Sequence, residues 1–225
     1  MNEAVPVGQR KNSLSHRSIA IYGAGGFGRE VAWLALSCPA INVVCFIDDS
    51  PGVAGKLIHG IPVIDLEKIV TLFPNVEVFS GIGSPRIRQI TMSKSAQAGY
   101  RSGTIVHPSA HMSQWIQIDE GAVICAGSVL TTDIRIGRHV QINLNCTIGH
   151  DVVMGDYVTL SPGVHVSGYV RIGNRVFFGT GAVVINGTKD KPIEIGDDAI
   201  IGAGAVVTRS VPSGSKVVGV PAEQV

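Results

Sequence analysis

The stretch INLNCTIGHDVVMGDYVTLSPG, residues 142–163, repeats an apolar residue at every sixth position, namely Ile142, Ile148, Met154 and Leu160. The spacing extends in both directions, because every sixth residue from Val106 to Val184 is apolar and the residue four positions later is apolar or small. An insertion around residues 190–194 interrupts the pattern, which resumes at Ile195. A fixed period of six is typical of a hexapeptide β-helix, in which each hexad forms one short strand and one turn.

Three hexads close one triangular coil, so we predict that residues 18 positions apart stack in columns along the helix. The composition agrees: 45% of residues are hydrophobic but only 5% are aromatic, which suits tightly stacked strands rich in Val and Ile. A solenoid of this kind has no deep pocket of its own. We therefore expect a homotrimer with active sites between subunits.

The N-terminal half has a different pattern, in which strands and helices alternate. Apolar strands are predicted at 18–26, 41–49 and 76–83, and helices at 27–38 and 85–99, with a strand or turn and a short helix within 61–73. This order predicts a small Rossmann-like parallel α/β domain over 18–103, followed by the β-helix over 104–225. Residues 1–17 are predicted to form a disordered extension.

Charge and hydropathy exclude several classes of partner. The 18 basic and 17 acidic residues give a net charge of +1, so we expect neither nucleic acid nor an anionic membrane as a partner. The first eighteen residues lack the apolar core of a signal peptide, and no run of about 18 apolar residues could span a membrane. We expect a cytoplasmic protein.

Three glycines after the first strand fit the pattern G-x-G-x-x-G, namely Gly23, Gly25 and Gly28. Asp48 follows twenty residues later, which completes a dinucleotide-binding fingerprint. The α/β domain is nevertheless too short for the second half that holds nicotinamide. We predict instead a phosphate at the helix N-terminus near Arg29, with Asp48 or Asp49 binding a ribose or base.

His150 lies between two inward positions of its hexad and should therefore point outward. Asp151 follows it, Asn143 lies in the preceding hexad, and Gly168 is the residue 18 positions later in the same column. This set predicts a general base supported by a carboxylate, with exposed backbone N–H groups near Gly168 to bind an oxyanion. From the residues alone, a solvated turn histidine remains equally open.

Other functions remain open at this point. The pair His107 and His111 could contribute to a zinc site between subunits, although a turn on the first coil explains it better. A zinc-dependent lyase, a nicotinamide-dependent oxidoreductase and a non-catalytic nucleotide-binding scaffold are the alternatives from other classes. We expect no metal.

Several motifs in this order, YGAGGFGREV, CFIDDSP, GIGSPRIR, the stretch 142–173 and the tail AIIGAGAVVTRSVPSGSKVVGVPA, resemble the NeuD/PglD-type sugar acyltransferases from about residue 18 to the C-terminus. The resemblance implies a left-handed β-helix, a trimer, acetyl-CoA as co-substrate and a nucleotide-sugar-binding N-terminal domain. The acceptor in such enzymes is either the 4-amino group of a nucleotide-linked deoxyamino sugar or a hydroxyl of sialic acid.

Carried onto this chain, the resemblance makes His150 the general base, Asp151 its carboxylate partner and Asn143 a substrate contact. The nucleotide sugar would further contact Gly23, Gly25, Gly26, Phe27, Gly28, Arg29, Asp48, Asp49 and Gly83. Acetyl-CoA would contact Thr159, His165, Gly168, Thr180, Gly202 and Gly204. Phe27 and Thr159 stand where many relatives have histidine, so a role of the second histidine is lost here or moved to His165.

The function expected from this resemblance is N-acetylation of a nucleotide-linked 4-amino-4,6-dideoxy sugar, by direct transfer, for a surface polysaccharide or glycan such as an O-antigen. UDP or dTDP is preferred over GDP as the nucleotide. O-acetylation of a sugar hydroxyl remains the alternative within the same class.

Overall fold

The computed structural model describes residues 17–225. Its N-terminal part contains a five-stranded sheet in the order β3-β4-β2-β1-β5, parallel except for the β3-β4 hairpin. The elements are β1 Arg17–Tyr22, α1 Gly26–Leu36, β2 Ile41–Ile47, β3 Leu57–Ile58, β4 Ile61–Ile64, α2 Leu66–Leu72, β5 Glu77–Ser80 and α3 Pro85–Gln97.

The predicted extension over 1–17 is corrected at its last residue. Arg17 is the first residue of β1, pairs with Ile41 of β2 and forms an ion pair with Glu77. Residues 1–16 lie outside the described part of the chain. Within the described residues, β1 therefore begins at Arg17.

Close packing between β1 and α1 explains one of the fingerprint glycines. A Cβ at Gly28 would lie 1.9 Å from the carbonyl oxygen of Gly23. Only glycine allows the helix to approach the preceding loop this closely.

The second part of the chain is a three-sided parallel β-helix. The face that the α/β domain covers in part, here the domain-covered face, contains β6 Ile105–Val106, β9 Val123–Ile124, β12 Gln141–Ile142, β15 Thr159–Leu160, β18 Phe177–Phe178, β21 Ile200–Ile201, β23 Lys216–Val218 and the antiparallel β24 Glu223–Gln224. The uncharged face contains β7 His111–Met112, β10 Val129–Leu130, β13 Thr147–Ile148, β16 His165–Val166, β19 Val183–Val184 and β22 Val206–Val207. The charged face contains β8 Ile116–Ile118, β11 Ile134–Ile136, β14 Val153–Met154, β17 Val170–Ile172 and β20 Ile193–Ile195.

The predicted column spacing is confirmed by the strand register. Thr147 pairs with His165 and Ile148 with Val166, each 18 residues apart. The inward positions are closed to solvent, since Ile148 is 1% exposed and Val152 is 0% exposed. The period of the sequence is therefore the period of the coil.

The insertion ends earlier than the sequence pattern indicated. Val170 pairs with Ile193, a separation of 23 residues, which is five more than the regular 18. Because Ile193 and Glu194 already belong to β20, the extra residues precede Ile193 and do not cover the whole of 190–194.

The corners of the β-helix use the left-handed backbone region, which aspartate tolerates better than most residues. Between the uncharged and charged faces, this residue is Asp133, Asp151 and Tyr169 in successive coils, with φ of 55°, 57° and 55°. Asp151 is thus a regular corner residue, and His150 precedes it in the same turn.

The α/β part packs on the domain-covered face. Ile105, Val123 and Cys125 of the β-helix share one buried apolar cluster with Ile19 and Phe46 of the sheet. The predicted domain boundary between 103 and 104 lies just before β6 and stays a prediction. Within residues 17–225, no helix has the length and apolar composition needed to cross a bilayer.

Candidate active site

His150 and Asp151 form a hydrogen-bonded pair at the corner that follows β13. The Nδ1 of His150 lies 2.8 Å from Oδ2 of Asp151, and about half of each side chain is exposed. A carboxylate at Nδ1 favours the tautomer with its proton on that nitrogen. The Nε2 of His150, which makes no hydrogen bond to residues 17–225, is then left to accept a proton.

Gly168 lies directly against the His150 ring, as the column spacing predicted. A Cβ at residue 168 would lie 2.5 Å from both Cε1 and Nε2 of the ring. The N–H of Gly168 donates no hydrogen bond to residues 17–225. The residue that contacts the ring therefore has a backbone N–H without an acceptor in the described residues.

Tyr169 completes this corner, although it is not among the predicted site residues. Its ring meets the His150 ring edge-on at a centroid distance of 5.0 Å, and its backbone N–H donates to the His150 carbonyl oxygen at 3.0 Å. The column spacing could have identified it, because Tyr169 follows Asp151 by 18 residues. We call His150, Asp151, Gly168 and Tyr169 the His150 edge.

A groove of about 610 Å³ runs beside the His150 edge. Its lining includes Trp115, Arg135, Asp151, Tyr169 and Arg171. Asp151 and Tyr169 therefore border a space open to a ligand, while His150 and Gly168 are not among its lining residues.

Other predicted residues lie at a different corner, between the domain-covered and uncharged faces. Asn143 is 6% exposed and donates from Nδ2 to the Leu160 carbonyl oxygen at 2.7 Å. Thr180, Gly202 and Gly204 lie in later turns of this corner, and the Gly204 N–H donates to the Thr180 carbonyl oxygen at 2.9 Å. We call this corner, with Asn143, Thr180, Gly202 and Gly204, the Asn143 edge. Within one chain, the uncharged face separates it from the His150 edge.

His165 lies on the uncharged face between these two edges. Its Nδ1 is 2.8 Å from the hydroxyl of Thr147, one coil earlier. Its side chain is exposed, so it remains open to a ligand or to a second copy of the chain.

The predicted acetyl-CoA contact of Thr159 lacks support from the geometry. Thr159 is 2% exposed, donates from Oγ1 to the Gly83 carbonyl oxygen at 2.8 Å, and accepts from Arg88 at 2.9 Å. Its hydroxyl is enclosed between the β-helix and the loop after β5, so no surface is left for the co-substrate. Arg88, which is not among the predicted site residues, is the centre of this contact.

The predicted nucleotide site forms a cleft of about 440 Å³ at the carboxyl ends of β1, β2 and β5. Four predicted residues line it, namely Gly23, Gly25, Asp48 and Asp49, together with Tyr22, Ser50, Gly81, Ile82, Ile87 and Thr91. Helix α1 begins beside it without a side-chain cap at Gly25, so its first N–H groups are available to an anion.

Not all residues of the glycine-rich loop face the cleft. Phe27 packs against the apolar core of the α/β part, and neither Gly26 nor Arg29 is among the lining residues. The predicted side-chain contacts of Phe27 and Arg29 therefore lack support from the geometry, whereas the N–H groups of Gly26 and Phe27 belong to the uncapped first turn of α1. Gly83 adjoins the cleft, but its carbonyl oxygen is engaged by Thr159 and Arg88.

The two aspartates at the cleft differ in what holds them. Asp48 accepts from the N–H groups of Ala24 at 2.9 Å and Ser50 at 3.0 Å. Burial raises its pKa, but these hydrogen bonds outweigh burial and hold the pKa below its usual value. Asp49 accepts from the Tyr22 hydroxyl and Lys94 through one oxygen only, so its second oxygen is the one available to a ligand.

The metal and nucleophile alternatives gain no support. Among residues 17–225, no three His, Cys, Asp or Glu side chains are grouped closely enough to hold a metal ion. His107 stacks on Trp33 at 5.2 Å. Cys146 is 0% exposed, and burial raises the pKa of its thiol to about 11, which disfavours the reactive thiolate.

Comparison with known proteins supports the fold and the class of protein. Residues 18–95 match the family described as PglD N-terminal domain, and residues 169–209 match the hexapeptide repeat of succinyl-transferase. GDP-perosamine N-acetyltransferase of Escherichia coli O157:H7 is 35% identical over 91% of this chain and 94% of its own length.

Two solved structures share the whole architecture. WeeI from Acinetobacter baumannii AYE is 36% identical, with a TM-score of 0.87, and the match covers 93% of this chain and 100% of WeeI. PerB from Caulobacter crescentus, in complex with CoA and GDP-perosamine, is 30% identical with a TM-score of 0.83, covering 92% of this chain and 97% of PerB.

A left-handed β-helix of hexapeptide repeats joined to a small α/β part, in a chain similar to a sugar N-acetyltransferase over nearly its whole length, defines a hexapeptide-repeat acyltransferase. The sequence identity and the length of these matches also identify the family. The chain belongs to the NeuD/PglD family of sugar acyltransferases.

Proposed function

We propose that this chain transfers the acetyl group of acetyl-CoA to the 4-amino group of a GDP-linked 4-amino-4,6-dideoxy sugar of the perosamine type. The 35% identity to GDP-perosamine N-acetyltransferase over nearly the whole of both chains carries the proposal. The earlier preference for UDP or dTDP finds no support, because the relative described with a bound sugar nucleotide holds GDP-perosamine.

The chemistry follows from the His150 edge. The sugar amine attacks the thioester carbonyl carbon, a C–N bond forms, and the oxygen becomes an oxyanion that the free N–H of Gly168 stabilises. His150 accepts the amine proton at Nε2, while Asp151 supports the imidazolium through Nδ1. Collapse breaks the C–S bond, and the proton passes to the CoA sulfur.

The transfer is direct, without an acyl-enzyme. A covalent route would need a nucleophile, and the nearest sulfur along this part of the coil, Cys146, is enclosed in the β-helix core and donates to backbone carbonyl oxygens. We propose acetyl-CoA and the sugar nucleotide as the only co-substrates, with no metal.

The assembly we propose is a homotrimer that packs through the uncharged face. The outward residues of this face carry no formal charge: His111, Val129, Thr147, His165, Val183 and Val206. The charged face, in contrast, presents Arg135, Arg171 and Glu194. Packing two copies across the uncharged face would bring the His150 edge of one toward the Asn143 edge of the next, which reunites the residues that one chain separates.

A pair of substitutions tests the trimer. Val129→Arg introduces a charge on the uncharged face, and Val153→Arg introduces the same charge on the charged face, where exposure is similar at 38% and 42%. Light scattering should give three times 23.6 kDa for the wild type and for Val153→Arg, and a smaller mass for Val129→Arg. The opposite result would assign the interface to the charged face.

A thiol-release assay with purified protein and acetyl-CoA tests the reaction. GDP-perosamine should be turned over faster than UDP- or dTDP-linked 4-amino-4,6-dideoxy sugars, and the 4-hydroxy counterpart of GDP-perosamine should release no thiol. Equal turnover of the hydroxy compound would establish O-acetylation instead. Absence of thiol release with every sugar nucleotide would refute the proposed function.

The biological setting remains a prediction. An N-acetylated sugar nucleotide would feed a glycosyltransferase that builds a surface polysaccharide or glycan, and the cytoplasm is the predicted site of the reaction.

A further inference from the structure

Arg88 of α3 is fully buried and joins the α/β part to the β-helix. Its guanidinium donates to six acceptors: Ile82 O at 2.9 Å, Gly83 O at 3.2 Å, Gln141 Oε1 at 2.6 Å, Tyr157 O at 2.6 Å, Val158 O at 3.1 Å and Thr159 Oγ1 at 2.9 Å. We call these residues the Arg88 contact.

The two terminal nitrogens of the Arg88 guanidinium differ in what they bind. Nη1 binds the carbonyl oxygens of Ile82 and Gly83, in the loop after β5, and also Gln141 of β12. Nη2 binds only the β-helix, through residues 157–159. A planar guanidinium can bridge two such sets of acceptors, whereas the single nitrogen of lysine cannot.

None of the six acceptors is a carboxylate. Burial lowers the pKa of Arg88 to about 9, so the group remains charged at neutral pH. Enclosing a charge without an acidic partner is costly, which indicates that this position serves more than stability. The loop that it holds is the one that lines the cleft, through Gly81 and Ile82.

The same loop has few other side-chain anchors. The Ile82 N–H donates to the Ser80 hydroxyl at 3.2 Å, and Thr159 donates to the Gly83 carbonyl oxygen. Glycines at 81 and 83 leave the loop backbone without side chains that could pack at those positions. The Gly81 N–H donates to the Tyr22 carbonyl oxygen at 2.8 Å, and Arg88 binds the carbonyl oxygens of the other two loop residues, Ile82 and Gly83.

We propose that Arg88 is a positioning residue for the sugar nucleotide, because it fixes loop 81–83 of the cleft against the β-helix. The inference rests on the proposed function for the identity of the ligand. It assigns a role in acceptor binding to a residue that touches neither the His150 edge nor the cleft surface.

The test compares Arg88→Lys with Arg86→Lys in the full-length protein. Arg86 also ties α3 to the β-helix, through an ion pair with Asp198 at 3.1 Å, but does not hold the loop. For Arg88→Lys we expect the KM for GDP-perosamine to rise about tenfold while the KM for acetyl-CoA changes less than twofold. Arg86→Lys should leave both KM values unchanged.

Thr159→Val is a second variant for the case in which Arg88→Lys does not fold. It removes one Arg88 acceptor and the bond to Gly83 at nearly constant volume, and should raise the same KM about threefold. Equal rises in both KM values, or none in a folded variant, would overturn the inference.

Calorimetric titration with GDP separates the inference from the proposed function. Weaker GDP binding to Arg88→Lys than to the wild type supports the positioning role even if no sugar is acetylated. Equal GDP binding by both folded proteins overturns it.

Discussion

The His150 edge and the Arg88 contact use turns of the same β-helix but differ in what their polar atoms bind. At the His150 edge, Nε2 of His150 and the N–H of Gly168 form no hydrogen bond to residues 17–225, and about half of the His150 side chain is exposed. In the Arg88 contact, six acceptors surround one guanidinium. Free hydrogen-bonding capacity beside a supported base is typical of a reaction site, whereas enclosed groups bonded to the protein, such as Nη1 and Nη2 of Arg88, position the parts around it.

The largest effect should follow from His150→Asn. Loss of a general base costs about a hundred- to ten-thousand-fold in rate, and the exposed side chain contributes little to stability. We expect kcat to fall on that scale while acetyl-CoA binding and the unfolding midpoint stay unchanged.

His59→Asn provides the matched control for this substitution. His59 lies in the hairpin between β3 and β4 with φ of 50°, a conformation that asparagine tolerates. It should turn over substrate like the wild type. A His150→Asn protein within threefold of wild-type kcat would remove the general base from the mechanism.

Asp151→Asn should have the next largest effect, about ten- to a hundredfold on kcat. The amide keeps the left-handed corner at φ of 57° but no longer stabilises the imidazolium that forms when His150 takes a proton. Because the pair is half exposed, solvent compensates in part, which makes the loss smaller than for the histidine. Steady-state kinetics at saturating acetyl-CoA measures it, and a loss equal to that of His150→Asn would contradict this ranking.

Gly168→Ala should reduce kcat by about tenfold. The added Cβ would lie 2.5 Å from two ring atoms of His150, so the ring must move away from the position beside the Gly168 N–H. Gly214→Ala is the control, since Gly214 has φ of +68° and open space around its Cβ position. The control should lose about 1 kcal/mol of stability and no activity, and an active Gly168→Ala enzyme would show that the ring position is not critical.

The structure could be predicted from the sequence where the sequence is periodic. In the β-helix, a spacing of 18 places Gly168 against His150 before any coordinates exist, because each coil repeats the last. The same rule would have found Tyr169. It does not indicate which faces meet another copy, so Asn143 and Thr180 were grouped with His150 although one chain holds them at another edge.

The cleft and the contact between the two parts follow no such rule. The glycine pattern located the cleft through Gly23, Gly25 and Asp48, but which residues turn inward depends on packing, and Phe27 packs into the core instead. Thr159 and Arg88 are 71 residues apart in the chain, and nothing local in either segment indicates that they meet. Long-range polar contacts of this kind require the structure.

Replacement of His139, which lies beside the Arg88 contact, should have the smallest effect on turnover. Its effect should be on the pH dependence of stability. His139 is 9% exposed, stacks on Tyr157 at 5.1 Å, and its Nδ1 has no hydrogen-bond partner in the described residues. Burial, followed by the charges of Arg88 and Arg138, lowers its pKa to about 4. The neutral ring is therefore the form that the folded protein holds.

Since the folded pKa lies below the unfolded value of about 6.5, the unfolded chain takes up the proton first as pH falls. Stability is thus lost between about pH 6.5 and pH 4, and the linkage amounts to about 2 kcal/mol between pH 7 and pH 5. Urea unfolding at one protein concentration should show this loss in the wild type and in His59→Asn. Asparagine accepts the left-handed φ of 55° at residue 139. In His139→Asn, the loss of stability between pH 7 and pH 5 should be smaller by about 2 kcal/mol, with kcat unchanged. An identical pH dependence in both proteins would mean that the imidazole is charged or hydrated in the folded protein.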